Sequence, residues 1–281
     1  MLTPQQVQHY HEDGYLVVDG LFSTPEIKAL RLASEDPALQ RALHAGGHAD
    51  KTVHLLEITA KHPAFLELAS DSRITDLIAQ LIGPDIQLQH SKLATKPPKK
   101  DAGAFAWHQD FAYFPHTNTD LLAVMVMLDD APPENGCMSV VHGSHKLGVL
   151  DHLRDGYFVG SCQEPQHWSE PSRIVPLTPK AGGISIHHCL TLHASPANIS
   201  GRPRRGVVFQ YRADDAHQLA DNVWVDTGLQ VRGQHREFAR CDAGALRLPK
   251  RRGWEPAFGN LYFQAGTHAR NWNATSVGAQ T

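Results

Sequence analysis

The chain has 281 residues against roughly 100–200 for a typical domain, so it is long enough to bury a substantial core, as one large domain with extensions or as two small ones. Lys plus Arg number 26 and Asp plus Glu 29, a formal charge of −3, which excludes the basic footprint of a protein that binds nucleic acid or an anionic membrane. Apolar residues at 41% and charged residues at 20% exclude a largely disordered chain, and the anomaly in the composition is histidine, at 19.

The opening MLTPQQVQHYHEDGYLVVDG has neither the basic start nor the long apolar stretch of a secretory signal. No later apolar run approaches the roughly 20 residues of a membrane span, so the reading is cytoplasmic. Thr3 followed by Gln6 is a capping box, and the helix it opens should stop at Gly14, before the β-rich Tyr15-Leu16-Val17-Val18. A second helix should begin near Ser23-Thr24-Pro25-Glu26. From His62 to Leu81 the apolar residues recur near helical period, ending at Gly83-Pro84. Residues 1–84 therefore read as a mainly helical N-terminal layer.

Beyond Asp85 the texture changes. Ile86 to Leu93 alternates apolar with polar, Leu121 to Leu128 is a β-run, and Ile174-Val175, Ile184 to Ile186 and Val207 to Tyr211 follow, separated by Gly, Pro and Asn turns. Short strands spaced in this way predict an antiparallel sandwich or barrel over 85–215. Residues 216–281 have weak periodicity and read as a C-terminal extension of a single domain, 1–281, whose basic cluster Lys250-Arg251-Arg252 reads as solvated surface. Cys137, Cys162, Cys189 and Cys241 form no CxxC pair, so they read as reduced, mostly buried thiols.

Excess histidine near a carboxylate points to the 2-His-1-carboxylate facial triad, written in sequence as His-x-Asp with a distant His. Three such tripeptides occur: His11-Glu-Asp13, His48-Ala-Asp50 and His108-Gln-Asp110. Residues i and i+2 share a face only when the chain is extended. His11 and Asp13 end a predicted helix, where they diverge by roughly 200°, and His48 follows Gly46-Gly47 in a loop. His108-Gln-Asp110 lies between Phe105-Ala-Trp107 and Phe111-Ala-Tyr113-Phe114, an extended aromatic stretch able to wall a pocket. His187, His188 and His193 compete for the third position, and His193 is preferred because Arg204, a cation for an anionic co-substrate, follows across the turn 196–201. Two antiparallel strands joined by that turn would place His193, Ser195 and Arg204 on one wall. His187 and His188 read as packing or surface hydrogen-bonding residues.

With these residues in view, the chain resembles the phytanoyl-CoA dioxygenase family of Fe(II)/2-oxoglutarate oxygenases. The resemblance rests on Glu12-Asp13-Gly14-Tyr15-Leu16-Val17-Val18, on Trp107-His108-Gln109-Asp110, on Glu134-Asn135-Gly136-Cys137 leading to Gly143-Ser144-His145, and on His193-Ala-Ser195 leading to Asn198 and Arg204. It implies a mainly β fold with helices, a double-stranded β-helix (jelly-roll, cupin-like) core behind the N-terminal helical layer. It further implies His108, Asp110 and His193 as iron ligands and Arg204, assisted by Ser195, as the clamp on the distal carboxylate of 2-oxoglutarate. Gln109 resembles a residue lining the co-substrate site. Lys92 and Lys96 fall in a region that faces the pocket in relatives, Lys92 toward the co-substrate, and Lys96, Phe111 and Tyr113 are candidate substrate contacts. His142 stands where relatives often carry Pro.

The implied reaction hydroxylates an unactivated C–H bond of a small organic substrate and releases succinate and CO2, with Fe(II), 2-oxoglutarate, O2 and ascorbate as reductant. Asp110 argues against halogenation, since halogenating relatives replace this carboxylate with a small residue. The alternative is a non-catalytic or binding member of the same scaffold. The expected partner is a small-molecule substrate, with no nucleic acid and no membrane, and the sequence sets no oligomeric state. Segments 99–103 and 149–172 are expected to flank the pocket mouth as a lid.

Overall fold

In the computed structural model, the described residues are 1–44, 53–98, 103–220, 225–242 and 248–250. The tripeptide His48-Ala-Asp50, residues 99–102 of the expected lid, and Arg251 and Arg252 of the basic cluster lie outside them.

The N-terminal layer forms for the reasons visible in its sequence. Helix α1 (Pro4–Asp13) is closed at its start by the reciprocal bonds between Thr3 and Gln6, and at its end by Gly14, whose φ of 83° admits a left-handed C-cap. Strand β1 (Tyr15–Val18) follows, then α2 (Thr24–Ser34), opened by the Ser23–Glu26 capping box, and α3 (Pro37–His44). Next come β2 (Val53–Leu56) and α4 (Ile58–Lys61), neither of them expected from the sequence. The predicted helix from His62 to Leu81 is two helices, α5 (Pro63–Ala69) and α6 (Ser72–Ile82). The break falls where the Asp71 side chain caps the N–H of Arg73 and starts a new helix, a side-chain signal that outweighs continuous apolar periodicity.

The remaining strands are β3 (Ile86–Lys96), β4 (Phe105–His108), β5 (Leu121–Met127), β6 (Ser139–Val141), β7 (Leu153–Arg154), β8 (Tyr157–Phe158), β9 (Ile174–Pro176), β10 (Ile184–His188), β11 (His193–Ser195), β12 (Arg204–Ala213) and β13 (Leu229–Arg232). The major sheet runs β1-β10-β5-β12-β3-β13, with β2 also pairing β3, and the minor sheet runs β4-β11-β6-β9. This is a mainly β jelly-roll core with helices packed on one side. One face of the major sheet, carrying Leu122, Val124, Val126, Ile184, Ile186, Val207, Phe209 and Tyr211, packs against Phe65, Leu68, Ile74 and Ile78 of the helices. Tyr211 Oη donates to the Ala69 carbonyl at 2.8 Å, tying the two layers together. The opposite face looks toward the minor sheet.

Strand β3 is not the simple alternation expected of it. Ile86 and Leu88 face the helices, but so does Leu93, so the apolar phase moves from even to odd positions. The register supplies the cause: Gln210 pairs with His90 and Tyr211 with Leu88, leaving Gln89 as an extra residue in a β-bulge. The bulge turns Lys92, Ala94 and Lys96 toward the space between the sheets.

The expected pairing of the two strands around the turn 196–201 is also absent. Strand β11 pairs with β4 and β6, whereas β12 pairs with β3 and β5, so the turn carries the chain from one sheet to the other. His193 and Arg204 therefore stand on facing walls. Part of the expected C-terminal extension joins the major sheet through β13, which pairs with β3. Segment 149–172 holds the β7–β8 hairpin and a short 3₁₀ turn. Cys137, Cys162 and Cys189 are buried free thiols and Cys241 is exposed. Among the described residues no helix is long and apolar enough to cross a membrane.

Candidate active site

A cleft opens between the two sheets, lined by residues from both. The minor sheet contributes His108 and His193, paired directly across β4 and β11, so their side chains leave the same face one strand apart. Gln109 continues the extended backbone (φ −111°, ψ 135°) before a 3₁₀ turn begins at Asp110, and this extension brings Asp110 to the face of His108. The imidazole centroids of His108 and His193 lie 4.1 Å apart. Asp110 Oδ1 sits 3.9 Å from His108 Nε2 and 3.8 Å from His193 Nε2. Among the described residues, this is the one group of three whose ligand atoms converge to hold a metal ion.

The protonation of the cluster suits a cation. His108 Nδ1 donates to the Ala106 carbonyl at 2.7 Å and His193 Nδ1 donates to the Thr191 carbonyl at 2.9 Å. Each ring thereby keeps its proton on Nδ1 and turns a bare Nε2 to the cluster. Burial pushes both imidazoles below the ordinary histidine range, which favours the neutral, ligating form. Burial alone would raise the Asp110 carboxyl, but His193, His187 and Lys92 around it outweigh that and hold it well below the usual carboxylate range. Two neutral imidazoles and one carboxylate, with Asp110 4% exposed, match the donor set of Fe(II).

Across the cleft stands Arg204 on β12, 4% exposed and lining the same pocket. Its Nη1 donates to the Gly136 carbonyl, which also accepts from Ser195 Oγ at 3.3 Å, while its Nε is buried without a hydrogen-bond partner. Burial pushes the guanidinium down to about 10, still cationic at neutral pH. A buried guanidinium with a spare donor fits a carboxylate that arrives with a ligand. Arg202 is surface-exposed and pairs with Glu134, and Arg205 points to the other side of the sheet, where it forms a fork with Asp129. Lys92 and Lys96 both line the cleft, and burial pushes both ammonium groups down. Lys96 Nζ donates to the Ser195 and Pro196 carbonyls, so it braces the wall beside Arg204.

Two expected contacts face elsewhere. Gln109 does not line the cleft: lying between two inward residues of an extended stretch, it points the opposite way, donating to the Gly148 and Leu190 carbonyls, both at 2.8 Å, and accepting from Leu150 N–H at 2.8 Å. Phe111 does not line the cleft: it is buried behind the wall, in the apolar cluster that also holds Phe158 and Leu190, and Phe114 of the same cluster lines the cleft instead. Tyr113 does line it, edge-on to His108 with centroids 5.6 Å apart and its hydroxyl donating to the Gly160 carbonyl at 2.6 Å. Ser195 lines the cleft from the wall of His193, facing Arg204 rather than sharing a wall with it as expected.

Of the competing histidines, His188 has a packing role: its Nδ1 accepts from Leu190 N–H and burial pushes it down to about 3. His187, in contrast, enters the site and bonds Asp110 at 3.1 Å, as does Gln210 at 2.6 Å. Sequence reasoning passed over both. Strand alternation puts Gln210 on the face of Arg204, a signal for one of them that periodicity carries. His11 and Asp13 diverge as helical geometry requires, and Asp13 pairs with His9 at 2.8 Å. His54, stacked on Phe105 with centroids 4.7 Å apart, completes one wall and was likewise unforeseen.

A facial triad and a buried arginine facing one another inside a jelly roll define the class of iron- and 2-oxoglutarate-dependent dioxygenases, and comparison with known proteins agrees. The family model "Phytanoyl-CoA dioxygenase (PhyH)" matches residues 10–206, and the chain belongs to that family. It is 31% identical, over 87% of its own length and 91% of the relative's, to a probable alpha-ketoglutarate-dependent hypophosphite dioxygenase of Stutzerimonas stutzeri. It is 30% identical to the ectoine dioxygenase of Bordetella parapertussis, over 75% of this chain and 76% of that one. Among solved structures, EctD from S. alaskensis with bound Fe superposes with a TM-score of 0.67 at 25% identity, covering 84% of this chain and 88% of that one.

Proposed function

We propose that His108, Asp110 and His193 hold the Fe(II), that Arg204 and Ser195 receive the distal carboxylate of 2-oxoglutarate, and that the chain hydroxylates an unactivated C–H bond of a small polar metabolite. The observation that carries this reading is the convergence of two bare Nε2 atoms and Asp110 Oδ1 on one side of a cleft whose other side presents a buried arginine with a spare donor. When bound, the metal supplies oxygen activation coupled to decarboxylation of 2-oxoglutarate to succinate and CO2. The protein's part is positional. Two carbonyls set the imidazole tautomers, the Gly136 carbonyl aims Arg204 and Ser195, and Phe105, Phe114, Met125 and Val208 keep the cleft poor in water. Lys92, Tyr113 and His54 are the groups that would orient a polar substrate, with Lys96 bracing the co-substrate wall.

The 31% identity to the hypophosphite enzyme favours a second reading, in which oxygen enters a phosphorus–hydrogen bond. A single assay tests both. Fe(II)-loaded protein is given 2-oxoglutarate and O2 with hypophosphite, methylphosphonate, ectoine, free amino acids or acyl-CoA esters, and succinate and oxidised product are quantified. Succinate formation stimulated by one compound and matched one-to-one by its hydroxylated product supports the reading and chooses between the bonds. Absence of any succinate from iron-loaded protein would support the non-catalytic alternative.

A further inference from the structure

The two oxygens of Asp110 have different surroundings. Oδ1 faces both ligand imidazoles, while Oδ2 accepts two hydrogen bonds, from His187 Nε2 at 3.1 Å and Gln210 Nε2 at 2.6 Å. The donors come from strands two apart in the major sheet, β10 and β12, with β5 between them. Register places both opposite the same residue, Ala123. Neighbouring strands lie roughly 4.8 Å apart, so His187 and Gln210 leave the sheet roughly 10 Å from one another and straddle a methyl group. The small side chain at Ala123 leaves room for a carboxylate from the opposing sheet to settle between them.

The remaining polar atoms of the two residues are equally informative. His187 Nδ1 and Gln210 Oε1 are buried and have no hydrogen-bond partner. Each residue therefore directs its donor to Asp110 at the cost of leaving its acceptor unmatched, which a purely structural network would avoid. Resting on the metal site of the proposed function, we infer that His187 and Gln210 are positioning residues that occupy Oδ2 so that Asp110 meets the metal through Oδ1 alone. A carboxylate free to bind through both oxygens would take a coordination position that a bidentate 2-oxo acid and O2 need.

Anaerobic titration of the Fe(II)-loaded protein with 2-oxoglutarate tests this, read through the visible charge-transfer absorption of the chelated 2-oxo acid, with circular dichroism confirming the fold. His187→Phe and Gln210→Leu should each weaken or shift that band and raise the 2-oxoglutarate concentration for half-saturation on the order of 10-fold or more. Gln210→Glu keeps the volume but replaces the donor with an acceptor, and should show the same defect. His187→Gln, whose amide can place an N–H near the position of Nε2, should restore much of the band. Folded variants with the wild-type band and affinity would overturn the inference while leaving the metal site intact. A wild-type protein that binds Fe(II) but gives no band on adding 2-oxoglutarate would overturn the proposed function, and this inference with it.

Discussion

At the scale of single residues, the proposed function separates groups that would hold metal from groups that would hold ligand, and substitutions should separate the same way. His108→Ala, Asp110→Ala and His193→Ala should each abolish iron binding and turnover, because two remaining ligands hold the ion poorly against water. His188→Ala should keep its iron, since that ring bonds Leu190 N–H and stays out of the cluster; metal analysis after gel filtration distinguishes the two outcomes. Arg204→Ala should raise the 2-oxoglutarate requirement roughly 30-fold or more, the loss expected when a buried charge-assisted pair is broken, with iron affinity unchanged. Arg205→Ala should leave that requirement alone but lower stability by about 1.5–3 kcal/mol, because its partner is Asp129 on the far side of the sheet. Titrating 2-oxoglutarate against initial rate, beside urea unfolding, resolves all three outcomes. Of Arg204 and Arg205, alternation along β12 puts Arg204 on the face of Val208 and Gln210, and it is the one of the two that lines the cleft. The direction of Gln109 was legible by the same rule and was overridden by the family resemblance.

At the scale of elements, two short irregularities aim the site. The Gln89 bulge reverses β3, so that Lys92 and Lys96 face the cleft although Leu88 faces the helices. The segment Glu134-Asn135-Gly136-Cys137, visible as a signature with no role attached, supplies the carbonyl that receives both Arg204 and Ser195. Gly136 has a φ of 75°, and a Cβ there would run into the Pro196 carbonyl. Gly136→Ala should therefore cost about 1–3 kcal/mol in backbone strain and also weaken 2-oxoglutarate binding, an effect that calorimetry of unfolding and co-substrate titration would detect together. Gln109→Leu would leave two carbonyls and one N–H unpaired in the interior, and should destabilise the protein by roughly 3 kcal/mol. Neither irregularity could be read from periodicity, because a bulge is a mismatch in length between two strands and exists only once they pair.

At the scale of the molecule, the burial of neutral histidines makes the fold sensitive to acid. Burial pushes His152 down to about 4 and His116 and His188 down to about 3, against an ordinary value near 6.5. Above pH 6.5 these rings are neutral whether the chain is folded or not, and their burial carries no penalty from protonation. Below it the unfolded chain takes up protons that the folded chain refuses, so stability falls as pH falls, by about 1.4 kcal/mol per pH unit for each ring, until the folded values are reached. The urea midpoint should therefore drop steeply between pH 6.5 and 4, and replacing His152 with Gln should make that slope shallower. A midpoint flat across that window would mean that these rings are protonated in the folded chain.

The sequence by itself determined what local chemistry controls. The capping boxes set the starts of α1 and α2, extended backbone put His108 and Asp110 on one face, and alternation singled out Arg204. Tertiary structure decided what depends on partners distant along the chain. Whether His193 and Arg204 share a wall or face one another depends on which strands β11 and β12 pair with, and a turn of the same residues serves either arrangement. His187 and Gln210 reach Asp110 from 77 and 100 positions away, because three strands align one row of side chains across the sheet and the minor sheet lowers a carboxylate onto it. Periodicity is a property of one segment and registers no such meeting. The three residues that converge as candidate metal ligands could therefore be named from the sequence, while the groups that bond one of them became visible only when the two sheets were closed over each other.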